Sequence, residues 1–227
     1  MLFCLLAPLA DGLAKALGAS VPLLQVVAVR FLAQAVLVVP ILPLLGLRLR
    51  LGPREAGLVA LRTLLHVAGI ALMFLALRFL PLADAIAIAY VMPFAVLLLG
   101  WLTMGEQVGW RRLLACVVGF AGTLMVMQPS FDDVGWKTAL PLAVAVIFAV
   151  FVLLTRHLSS RVGPLEMQAA GGLMGSAALL PLLWLFEGSG RADLDPVRPD
   201  ATALWLLVGI GVIGTAAHLA MTWALKL

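Results

Sequence analysis

Four pairs of polar residues, each spaced by four, interrupt the apolar runs of this chain: Asp11 with Lys15, Arg30 with Gln34, Arg62 with His66, and His218 with Thr222. That spacing puts both members of a pair on one face of a helix. Arg30 offers a planar fork of donors suited to a carboxylate. An imidazole such as His66 is the side chain that exchanges protons near neutral pH. Tyr90 is the single tyrosine and stands three residues before Pro93. Pro93 cannot donate to the carbonyl of Ala89, and such helix breaks are tolerated where they border a cavity. Arg30, Gln34, His66, Tyr90, Pro93 and His218 are therefore candidates for binding a small solute. Asp11, Lys15 and Arg62 are candidates for an ion pair or for proton coupling. Each has a packing alternative. Asp11 and Lys15 could form a local salt bridge, Lys15 and Arg62 could snorkel to an interface, and Arg30 could lock onto Asp11. His66 could be a hydrogen-bonded packing residue, and Tyr90 with Pro93 an ordinary kink.

The elements that must position these residues follow from composition. Of 227 residues, 64% are hydrophobic and 11% are charged, against about 25% charged in a soluble domain. That leaves too little polar surface to cover a water-soluble globule. Eight apolar spans can be drawn, at roughly 2–17, 22–45, 56–77, 81–104, 112–128, 137–155, 166–186 and 201–224. About 20 helical residues cross a hydrocarbon core of roughly 30 Å. Lipid admits only helices or closed barrels, and spans of this length without strict alternation read as helices. The expected fold class is all-α, a polytopic membrane helix bundle. The stretch Glu187–Asp200 is the longest polar segment and reads as a loop. Cys4 and Cys116 fall inside spans and form no metal or disulfide pattern, so they read as apolar fillers.

With the N-terminus in the cytoplasm, the inner loops hold Arg48, Arg50, Arg54, Arg111, Arg112, Arg156, Arg161 and Lys226, and the outer loops hold only Arg78, Lys137, Arg191 and Arg198. This excess supports that orientation. A weak internal repeat is also present. A shift of 141 places Lys15 on Arg156, Gln25 on Glu166 and Pro40 on Pro181, and past the polar loop a shift of 148 places Ala76 on Ala224. The copies face opposite ways, which is the inverted-topology construction of secondary transporters. The first repeat covers residues 1–129 and the second, with three helices, 130–227. The fourth span begins at Pro81, so its partner is expected beyond Leu227, and a full second copy would run to about residue 276.

On Asp11, Lys15, Arg30 and Phe31, on ALRFLPLADAIAIAYVMPF (Ala76–Phe94), GEQVGWRR (Gly105–Arg112) and GFAGTLMVMQP (Gly119–Pro129), the chain resembles the drug/metabolite transporter superfamily in its ten-helix EamA-like branch. The resemblance covers nearly the whole chain and implies two five-helix repeats, cytosolic termini and a central cavity for a small metabolite or drug-like solute. It implies an integral membrane protein of the bacterial inner membrane and no cofactor. The last two helices of the ten-helix pattern are absent from the sequence, which sets transport by these residues alone against a partial assembly. The resemblance also implies a recurrent acid at Glu106, read physically as fixing a short inner turn by pairing with Arg111 or Arg112.

Rival classes leave weaker marks. A membrane enzyme finds no HExxH or GxSxG, and His66, His157 and His218 are scattered over different spans. No phosphate loop for ATP appears, and nucleic acid has no exposed basic surface to meet. A non-transporting partner bundle stays open. Expected partners are the lipid bilayer and a small solute, with a second copy of the chain as a further candidate. Glycine pairs at Gly119/Gly122, Gly171/Gly175 and Gly209/Gly211/Gly214 read as close helix contacts.

Overall fold

The computed structural model describes residues 2–18, 20–105, 108–127 and 135–226. The apolar runs fold as helices in chain order: α1 (Leu2–Leu17), α2 (Leu23–Val38), α3 (Ile41–Leu44), α4 (Pro53–Phe79), α5 (Leu82–Ala89), α6 (Met92–Met104), α7 (Trp110–Met127), α8 (Ala139–Ser159), α9 (Pro164–Leu185) and α10 (Ala201–Ala224). The expected spans fall on these helices to within a few residues. Six stretches are long and apolar enough to cross a membrane, and α1 and α7, with 16 and 18 residues, account for the other two expected spans. The molecule is an all-α polytopic membrane bundle.

Two expected spans are broken by proline. The span 22–45 divides at Val39–Pro40 into α2 and α3, and the span 81–104 divides at Tyr90–Val91, with α6 restarting at Met92–Pro93. Proline fits the first turn of a helix, where its missing donor costs nothing.

The helices pack as α1 along α10, α2 along α9 and α4 along α8, with α2 also on α10 and α4 also on α9. Their inner faces form the core around Val27, Phe31, Ile70, Phe74, Leu77, Val144 and Ile210. Where α2 meets α9 the backbones nearly touch. A Cβ added at Gly172 would sit 2.7 Å from the amide nitrogen and 3.0 Å from the Cα of Ala35. Only glycine permits that approach. The outer faces carry exposed Leu44, Leu64, Trp184 and Trp205. Apolar exposure on this scale suits lipid and not water. The expected close contacts at Gly119 and Gly122 are not seen. Both lie on α7, and a Cβ at either meets nothing within 4 Å among the described residues. Small residues mark a contact only where a second helix lies against them, and α7 touches mainly α5 and α6.

At one end of the bundle the polar loop folds down over the helix ends. Gln25 donates to the carbonyl of Val197 at 2.9 Å and accepts from its amide at 3.0 Å. The Leu24 amide donates to Asp193 O at 3.0 Å, and Arg78 pairs with the Asp193 carboxylate. Asp200 caps α10 by accepting from the Ala203 amide at 2.7 Å.

Candidate functional site

Between α1, α2, α4, the α5–α6 break, α8 and α10 lies a cavity of about 250 Å³. Its walls are mostly apolar, with Met73 and Phe74 from α4, Phe148 from α8 and Ala217 from α10. Four groups interrupt them: Asp11, Arg30, Tyr90 and His218. Pro93 lines it beside Tyr90, so the helix break borders the cavity as its chemistry requires.

Arg30 is buried and donates to the carbonyl of Ile210 at 3.3 Å. Its guanidinium fills the space that a side chain at Gly214 would occupy, so Gly214 is what admits it. Asp11 and Arg30 both line the cavity but form no ion pair among the described residues. Asp11 does not pair with Lys15 either. Lys15 reaches instead to the bundle's loop-covered end and donates to the carbonyls of Leu77 and Leu80, the latter at 2.8 Å. That ties α1 to the end of α4.

The scattered histidines are not all apart. His66 Nε2 and His218 Nε2 approach to 3.2 Å, from α4 and α10. One ring must hold the shared proton and the other accept it. His66 lies behind the cavity wall and packs against Phe31 and Phe151, with ring centroids 5.0 and 4.9 Å away. His218 faces the cavity, and its Nδ1 is buried with no partner among the described residues.

Arg62 and Gln34 do not line this cavity. They belong to a buried polar network nearer the bundle end that bears Pro53, Ser159 and Pro164. Gln34 donates to the backbone carbonyl and Oε1 of Gln168 at 2.8 and 2.9 Å, and Gln168 donates to Thr222 at 3.0 Å. Arg62 donates to Thr155 at 2.8 Å and stacks on Phe151 at 4.5 Å. It is fully buried and does not snorkel. Sequence reasoning passed over Gln168 and Thr155, whose only signal is a neutral polar group within a turn or two of a helix end. It also took Cys4 for a filler, whereas Cys4 lines the cavity. Arg111 and Arg112 are exposed at the start of α7, with Arg111 over the Trp110 ring at 5.9 Å. Their expected partner Glu106 lies outside the described residues. Among the described residues no three His, Cys, Asp or Glu side chains are grouped to hold a metal.

A helical membrane bundle around an apolar cavity, with a few convergent polar groups, is the architecture of a solute-handling membrane protein. The EamA-like transporter family matches residues 2–128, and the chain belongs to that family, one of transporters and not of enzymes. It is 30% identical over 205 residues to a riboflavin transporter of Vibrio cholerae, covering 89% of this chain and 66% of that protein. It is 29% identical over 153 residues to the pseudopaline exporter of Pseudomonas aeruginosa, covering 66% of this chain and 51% of the exporter. The chain thus spans at most about two thirds of the length of these relatives. A solved crystal structure shares the fold at a TM-score of 0.70 and 21% identity, over 97% of this chain and 79% of the other.

Proposed function

We propose that the chain forms the solute-binding core of a secondary carrier for a small metabolite in the bacterial inner membrane, working by alternating access. The observation that carries this reading is the convergence of Asp11, Arg30, Tyr90 and His218 on one apolar cavity. In it, Arg30 and Tyr90 orient the polar end of the solute, the aromatic and methionine walls take its apolar body, and the break at Tyr90–Pro93 is the hinge. Asp11, a carboxylate facing the cavity with no ion pair among the described residues, is the group for proton exchange, with Arg30, His218, Tyr90 and Cys4 as the other ionisable groups lining the cavity.

Two repeats, 1–129 and 130–227, supply the moving parts. The packing supports that division. Exchanging the copies turns the α1 and α10 contact into that of α8 and α4, and the α2 and α9 contact into itself. The basic residues at the α4 start, the α6–α7 turn and the α8–α9 turn support a cytoplasmic N-terminus. Riboflavin is the first solute to test, because a relative of that name covers most of the chain; the pseudopaline exporter makes export the second direction to assay.

The test is solute flux in proteoliposomes. Saturable flux lost in Arg30→Gln and in Tyr90→Ala, with both variants inserted normally, is expected. Flux that is absent in wild type, or unaltered in both variants, rejects the carrier reading of this cavity.

A further inference from the structure

Arg62 is a cation with no counter-charge among the described residues. It is fully buried on α4, about two and a half turns from Pro53. Its Nε donates to Thr155 Oγ1 at 2.8 Å, and its Nη2 reaches Thr222 Oγ1 only at 3.5 Å. Both acceptors are neutral hydroxyls that already serve others. Thr155 donates to Phe151 O at 2.6 Å, and Thr222 donates to His218 O at 2.8 Å while accepting from Gln168. Nη1 is buried with no partner among the described residues, and no ion pair reaches the guanidinium there.

The neighbours of that free nitrogen carry no negative charge, and Gln34 has given both its amide hydrogens to Gln168. Arg62 Nη1, Gln34 Nε2 and Thr63 Oγ1 converge on the bare Cα face of Gly171, where a Cβ would lie 3.4 to 3.7 Å from all three. Thr63 spends its own hydrogen on Val59 O at 2.8 Å. Helix α9 thus closes this face with a glycine, and its acid, Glu166 in the first turn, folds back beside Gly163. Arg30 differs, because Asp11 shares its cavity. A buried intramembrane charge is costly unless something neutralises it, and the described residues offer Arg62 only hydroxyls and a π face.

We infer that Arg62 is an anion-binding residue, whose free Nη1 takes a small inorganic anion or the carboxylate of a solute when α9 moves off α4. The carrier reading supplies the motion that opens the site, and anion binding is measured without flux, so the two readings fail separately.

The probes are chloride and acetate, titrated into the purified protein in detergent against a bulky sulfonate, the HEPES anion, at constant ionic strength. The unfolding temperature of wild type is expected to rise saturably, by about 5 °C. The rise should vanish in Arg62→Met, which keeps the volume and removes the charge, and persist in Arg161→Gln, which alters an exposed arginine. A response to chloride alone assigns an inorganic anion, and a response to acetate a carboxylate. Should Arg62→Met fail to fold, saturable binding of radiolabelled chloride or acetate to wild type decides. No rise with either anion, a rise that survives in Arg62→Met, or no saturable binding overturns the inference.

Discussion

The cavity and the polar network each contain one deeply buried arginine, yet they differ in what surrounds it. Arg30 faces open volume, an opposing carboxylate and a helix break. Arg62 lies outside that cavity, among hydroxyls, amides and an aromatic ring. Burial of a charge inside a membrane protein is costly in both places, so burial alone does not mark where a solute sits. What separates the two is free space next to unspent polar groups. The cavity keeps its groups available, whereas the network spends most of its donors to hold α2, α4, α8, α9 and α10 together.

The largest expected effect removes the charge on the cavity side. Arg30→Met deletes a charge-assisted contact worth roughly 1.5–3 kcal/mol, so apparent solute affinity should weaken about 10- to 100-fold in flux assays with insertion unchanged. On the network side, Gly172→Val forces a side chain into the Ala35 backbone. It should cost about 1–3 kcal/mol of stability in denaturation, whereas Gly119→Val, into open space on α7, should stay within about 0.5 kcal/mol. Equal effects of the two valines would erase the distinction between packed and open faces. Gln168→Leu leaves Gln34 its backbone acceptor but strips one bond each from Gln34 and Thr222. A loss of about 1 kcal/mol in stability is expected with solute affinity unaltered. Arg78→Gln breaks the half-exposed pair with Asp193 and should change stability by no more than about 1 kcal/mol, and less in high salt.

Much of this was legible in the sequence. Helix bounds followed from the apolar runs, because lipid makes length and hydrophobicity decisive. The break near Pro93 followed from proline chemistry, although the equivalent break at Pro40 was read as one continuous span. Arg30, Tyr90 and Asp11 stood out because ionisable or hydroxyl groups inside spans are costly. The histidine pair did not, since His66 and His218 are 152 residues apart and nothing local links them. Gly119 and Gly122 misled for the opposite reason: the small-residue pattern is local, but a contact needs a second helix. Thr155 and Gln168 are neutral and lie near helix ends, so their roles emerge only once α8 is seen against α4, and α9 against α2 and α10.

The most direct test uses the cavity's own thiol. Cys4 is exposed and lines the cavity, while Cys116 lies away from it on α7. In a Cys116→Ser background, maleimide labelling of Cys4 in proteoliposomes should slow severalfold when a solute that gives saturable flux is added at saturation. Labelling at an unchanged rate with that solute present would place its binding elsewhere and contradict the account.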